Sequence, residues 1–205
     1  MGVVNPLEVR PGLRERKKQK TRETIINVAL ELFAEKGYEH TTIVEIAEAA
    51  EVSPRTIFAY FPSKEDILFC DMPEAYERFA RALRERPEGV TALDVVREFL
   101  VMSVNPNRTQ LLRKRILASD EALRVSQRAR FAPFEQLLVE AIAKDLDADP
   151  DDIRPRIVAV AFGAAVHAVH DPAAPPEAFS PEHAMALIDD VLEFVRGGLD
   201  ALRKR

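Results

Sequence analysis

The sequence predicts an all-α protein of about nine helices, with a small N-terminal three-helix domain followed by a larger helical one. Three observations carry this. Ala, Leu, Glu and Arg dominate a 205-residue chain that holds only 7 Gly and no Trp, a composition that favours helix. Apolar residues recur at helical spacing, and no stretch shows convincing strand alternation. The segment VSPRTIFAYFPSKEDIL, residues 52–68, holds two helix starts, at Ser53–Pro54 and at Ser63. A helix of barely two turns cannot persist alone in water, so the first must be braced by neighbours.

In chain order, residues 1–12 contain Pro6, Pro11 and Gly12 without periodicity and read as a flexible leader. A helix follows from about Leu13 to Lys36, with Ile25, Ile26, Ala29, Leu30 and Phe33 forming one apolar stripe and Gly37 as a left-handed stop. Thr42 and Glu45 fit a capping box that opens a second helix, whose buried face is Ile43, Ile46, Ala47 and Ala50. Glu51 and Val52 leave room for a tight turn only. Ser53 as N-cap and Pro54 at the first helical position start a third helix, to about Ala59. Ser63 and Asp66 repeat the cap pattern and begin a fourth, to about Arg86, with Pro73 expected to kink it. Further helical patterns run over 91–104, 108–118, 120–146, 152–169 and 181–203, with Pro133 bending the third of these. Asp149–Pro150 and Ser180–Pro181 read as helix starts, and Pro175–Pro176 as a short stiff linker. The organisation expected is a leader (1–12), an N-terminal domain (13–62) and a C-terminal domain (63–205), with helix 63–86 linking the two.

Hydrophobic content of 47% supports an ordinary core and argues against a disordered chain. The single Cys70 excludes an intrachain disulfide and suits a reducing compartment. No apolar run spans a membrane and the N-terminus lacks a signal-peptide pattern, so a soluble cytoplasmic protein is expected. Net charge is −5, which argues against a wholly basic nucleic-acid coat protein. Yet RPGLRERKKQKTR, residues 10–22, sets seven basic side chains against Glu15 alone. That cluster fits a solvated helix start or, given its neighbour, an arm facing phosphates.

Two short helices joined by a tight turn, the second exposed, make a helix-turn-helix, whose second helix can enter a DNA major groove. On this reading Ile57 and Phe61 face inward, with Phe58 a further inward candidate. Arg55, Thr56, Ala59 and Tyr60 face out toward bases or phosphates. Lys64 stands in the first turn of the next helix, against the dipole, and a nearby phosphate would account for it. Thr41 and Thr42 can hold another phosphate. Lys17, Lys18, Lys20 and Arg22 complete the expected DNA-contacting set.

Residues 16–69 resemble the DNA-binding domain of the TetR (tetracycline-repressor) family of bacterial regulators. The pieces LFAEKGY, TT…IA…A.VS..T.F.YF and SKEDIL appear in family order and spacing. Two departures stand out. Glu51 occupies a turn position where the family usually has Gly, and SPRT sets Pro54–Arg55 where many members carry something small. The second variant resembles a branch whose C-terminal domain is described as acyl-CoA-like ligand-binding. The resemblance implies a C-terminal ligand-binding and dimerisation domain and no cofactor.

Two helix-turn-helix copies one helical turn apart read a palindrome, so dimerisation is assigned to residues 87–205. Val158, Phe162, Val166, Leu187, Ile188, Val191, Leu192 and Val195 are the candidate interface, with intrachain core as the alternative. A ligand pocket is expected among Phe69, Met72, Tyr76, Phe79, Phe99, Met102, Phe131, Phe134 and Phe162, although plain core accounts for any one of them as well. Arg113, Lys114 and Arg115 fit an anionic head group or a solvated face. His167 and His170, with Asp171 and His183, have spacing compatible with a metal, but the end of a helix explains them better and no metal is assigned. Catalysis has no sequence support. The expected function is a homodimeric DNA-binding transcriptional regulator, a repressor released from a palindromic operator by a small apolar or acyl-CoA-like effector. An activator, an effector-independent regulator, and a helical carrier of apolar ligands that has lost DNA binding are the alternatives.

Overall fold

A computed structural model of the chain describes residues 12–102, 107–149, 151–169 and 181–203, with side chains to 164 in the ninth helix and at 182 and 185–198 in the tenth. These residues form ten helices and no strand, in two compact units that divide after Phe69. The leader expected over residues 1–11, the linker expected at Pro175–Pro176, and Pro150 and Ser180 lie outside the described residues, while the last helix begins at Pro181 as expected.

The first unit holds α1 (Leu13–Lys36), α2 (Ile43–Ala49), α3 (Pro54–Tyr60) and α4 (Lys64–Leu68). The α1 stripe is buried as its spacing requires, and Ile46, Ala47, Ile57, Phe61, Ile67 and Leu68 close over it. α1 ends at Gly37, whose φ of 89° and ψ of 150° fall where essentially only glycine is found. The Thr42–Glu45 capping box forms as expected, and Ser53 caps α3 by accepting from the Thr56 amide at 3.1 Å. The turn after α2 is a Schellman motif. Glu51 N–H donates to Glu48 at 3.1 Å and Val52 N–H to Ala47 at 2.9 Å, with Glu51 left-handed at φ 53° and its side chain exposed.

The second unit holds α5 (Met72–Glu85), α6 (Ala92–Val101), α7 (Arg108–Ala118), α8 (Glu121–Leu146), α9 (Arg154–Val169) and α10 (Pro181–Arg203). Its core joins Phe79, Leu83, Leu93, Val96, Leu138, Ile142, Val158, Phe162, Ile188 and Leu192. A buried ion pair fastens three elements. Arg86 pairs with Asp145 and donates to the carbonyls of Leu83 (2.9 Å) and Ala141 (3.2 Å), and Asp145 also accepts from the Ala92 amide at 2.6 Å.

Three expectations are corrected. The helix expected over 63–86 is two helices, broken at Phe69–Asp71, and this supplies the tenth element. Pro73 sits in the first turn of α5, where its missing N–H costs nothing, so it marks a start and not a kink. α9 begins at Arg154 with Pro155 in its first turn, while Asp149 accepts from the Asp151 amide at 3.0 Å in the preceding turn. α8 runs unbroken through Pro133.

Candidate nucleic-acid interface

α3 is the short helix whose purpose the sequence raised. Ile57 is 0% exposed and anchors it from below, while Phe61 at its end is 3% exposed. The Arg22 guanidinium lies 5.3 Å from the Phe61 ring centroid, so Arg22 also helps to hold that corner. Burying one such side chain stabilises by roughly 1.5–3 kcal/mol, which a seven-residue helix cannot gain from its own hydrogen bonds. With the inward face occupied, Arg55, Phe58 and Ala59 are exposed, and Thr56 and Tyr60 are half-buried. The Thr56 and Ser53 hydroxyls lie 2.8 Å apart and hydrogen-bond to each other. Lys17, Lys18 and Lys20 are exposed along the first turns of α1.

Phe58, an inward candidate from the sequence, is 54% exposed instead. Helical spacing puts it one turn beyond Arg55 on the same face, and that spacing was the signal available in the sequence.

Two expected phosphate ligands serve the fold. Thr41 is 1% exposed, its hydroxyl donates to the carbonyls of Gly37 (2.8 Å) and Leu32 (3.3 Å), and its amide donates to Tyr38 at 3.3 Å. Lys64 points into the same loop. Its Nζ donates to the carbonyls of Tyr38 (2.9 Å) and Thr41 (3.0 Å) and lies 4.4 Å from the Tyr38 ring centroid. Those carbonyls answer the charge that stands against the α4 dipole, and no phosphate is needed to explain it. Thr42 is exposed, but its hydroxyl is engaged with Glu45 within the cap. Lys36 reaches Glu45 at 2.8 Å from the end of α1. That hydrogen bond, followed by those from Thr42, holds the Glu45 carboxyl down to about 2.

In the second unit, Tyr76, Phe79, Phe99, Phe131 and Phe134 form one aromatic cluster, with neighbouring centroids 5.1 to 6.5 Å apart. The rings touch one another. Met72 is half-buried and Met102 is 72% exposed at the end of α6. Phe69 falls in the first unit, and Phe162 belongs to the core of the second. Arg113 is 13% exposed and donates to Asp71 at 2.7 Å and to the Cys70 sulfur at 3.3 Å, so it is not a solvated cation. Burial lowers the Lys114 pKa, and Arg115 is exposed.

The expected dimer stripe is corrected in most positions. Val158, Phe162, Ile188, Leu192 and Val195 are buried in the chain's own core, with Leu187 and Val191 half-buried. The face left outside is Ile157, Val160, Ala161 and Ala164 on α9, with Phe194 of α10 77% exposed. Val166, His167, His170 and His183 lie outside the residues whose side chains are described. No helix among the described residues is long and apolar enough to cross a membrane.

A tight-turned helix pair that presents an exposed second helix beside a basic first helix defines a helix-turn-helix protein. Residues 25–69 match the family described as bacterial regulatory proteins, tetR family, and residues 90–200 match the MftR C-terminal domain. The HTH-type transcriptional regulator TcmR of Streptomyces glaucescens is 36% identical over 167 residues, covering 75% of this chain and 73% of TcmR. Among solved structures, NalD, the secondary repressor of the MexAB-OprM multidrug efflux pump in Pseudomonas aeruginosa, is 26% identical with a TM-score of 0.62, over 85% of this chain and 96% of that one. A SmeT–triclosan complex has a TM-score of 0.64 at 23% identity, over 85% and 91%, and shares the fold. The chain belongs to the TetR family of helix-turn-helix transcriptional regulators.

Proposed function

We propose that the chain is a homodimeric repressor that leaves a palindromic operator when a small apolar molecule occupies its second unit. The observation that carries the DNA-binding part is α3, with Ile57 and Phe61 holding it while Arg55, Phe58, Ala59 and the Tyr60 edge face outward. Arg55 is the base or phosphate donor, the Tyr60 hydroxyl a phosphate donor, and Lys17, Lys18 and Lys20 supply charge to the flanking backbone. Thr41 and Lys64 brace the loop behind them.

Two copies are needed to place two α3 helices about 34–36 Å apart. The exposed apolar face of α9, with Phe194, is the surface we assign to a second copy. Sedimentation of a Val160→Asp variant tests this: it is expected to be monomeric, and an unchanged dimer removes the assignment.

The effector site is placed at the aromatic cluster, because rings from α5, α6 and α8 meet there. α5 follows α4 after the three residues Phe69–Asp71, so a shift of α5 passes along the chain toward the first unit. The ligand must bind the DNA-free arrangement better than the DNA-bound one, or no release follows.

The experiment is operator selection from random DNA, then binding by anisotropy across a salt series. A regulator with real phosphate contacts loses affinity steeply with salt, by about 0.9 log units per contact per log unit of salt. Arg55→Ala and Tyr60→Phe are expected to weaken binding while the dimer persists. Binding unchanged by both removes α3 as the reading helix.

A further inference from the structure

The outward face of α3 is poor in hydrogen-bonding groups. Arg55, Phe58 and Ala59 share it, at i, i+3 and i+4. The Ser53 and Thr56 hydroxyls are bound to each other, and Ser53 also caps the helix. Arg55 is therefore the one long polar side chain among these three, its neighbours are a benzyl group and a methyl group, and Tyr60 at the helix end is half-buried.

Phe58 has no core to enter, since Ile57 and Phe61 already fill the two inward positions, and its ring is 54% exposed. An aromatic ring held in water on a two-turn helix calls for an apolar partner. Arg55 stands one turn before it on the same helix, and the exposed basic residues of α1 belong to the same unit, charge suited to DNA. In the major groove the apolar mark on a base edge is the C5-methyl of thymine.

Resting on the DNA-reading role of α3 proposed above, we infer that Phe58, with Ala59 beside it, reads thymine C5-methyl groups in each half-site. Apolar contact then supplies much of the base selectivity of α3, and Arg55 supplies one polar contact.

The test uses the full chain and its selected operator. Each thymine of the half-site is replaced in turn by deoxyuridine, which pairs identically and lacks the methyl. The wild-type chain is expected to lose about fourfold in affinity for each contacted methyl, the worth of one buried methyl group. Phe58→Ala is expected to bind the thymine operator more weakly and to treat the two duplexes alike, with an unchanged salt slope because no phosphate contact is lost. Phe58→Leu is expected to restore part of the discrimination, and thermal melts of both variants report whether the fold is intact. Equal wild-type affinity for thymine and uracil at every position overturns the inference, as does full discrimination by Phe58→Ala. Failure of the underlying reading looks different: no operator is selected and no salt-dependent binding to the thymine duplex is seen.

Discussion

Lys64→Met separates a loop brace from a phosphate ligand. Methionine keeps the length and apolar stem of the side chain and removes the charge. The variant loses the hydrogen bonds to the Tyr38 and Thr41 carbonyls, at 2.9 and 3.0 Å, and the cation beside the Tyr38 ring at 4.4 Å. Hydrogen bonds to a charged group are worth about 1.5–3 kcal/mol each when buried. This site is half-buried, so water replaces part of the bonding and about 1 kcal/mol apiece is the better figure. The cation–ring contact adds about 0.5–1 kcal/mol. Relief of the charge at the α4 N-terminus returns about 0.3–0.5 kcal/mol. The net expectation is a loss of about 2 kcal/mol in the first unit. The chain has no Trp, so urea unfolding is followed by circular dichroism, alongside a salt series on operator DNA. The expected result is a lower urea midpoint with an unaltered salt slope at temperatures where the variant is folded. An unaltered midpoint with a slope smaller by about 0.9 per subunit would refute the brace and restore Lys64 as a DNA ligand.

Other expectations follow the same logic. Glu51→Gly removes left-handed strain of about 1–2 kcal/mol against an unfolded-state entropy cost of about 0.4–1 kcal/mol. Net stabilisation of about 0.5–1 kcal/mol is therefore expected in urea unfolding, and a loss would mean that the Glu51 side chain is doing something its exposure does not show. Asp145→Ala strips a partner from Arg86, whose side chain is 10% exposed. A cost of about 3 kcal/mol to the second unit is expected, the lower end for a broken buried pair because two carbonyls still hold the guanidinium. The Glu45 carboxyl sits near 2 in the folded state against 4.5 unperturbed. Its contribution to stability is full above about 4.5 and is lost as pH falls toward 2. Glu45→Gln should flatten that part of a stability–pH profile, and an unchanged acid limb would count against the contact with Lys36.

The parts of the fold legible in the sequence were those fixed by neighbours a few residues apart. The α1 stripe, the Thr42–Glu45 box and the Ser53 cap all rest on spacings of four or fewer. The parts that escaped depend on distant chain. Lys64 meets carbonyls 26 and 23 positions earlier, and no local pattern announces that. α9 is apolar on nearly every side, so periodicity could not tell which face turns inward. Helical residues flank Pro73 on both sides and suggest a kink, although proline disfavours helix in the residue before it and suits a first turn. The outward position of Phe58 was available from spacing, but an aromatic side chain invited burial.

Pro133 has no N–H to offer the carbonyl of Ala129, so α8 lacks one rung of its ladder. The gap falls beside Phe131 and Phe134, two members of the ring cluster. A rod weakened at that level flexes more cheaply there than elsewhere along its length. The ring cluster thus leans on its longest support at the level where that support lacks a rung.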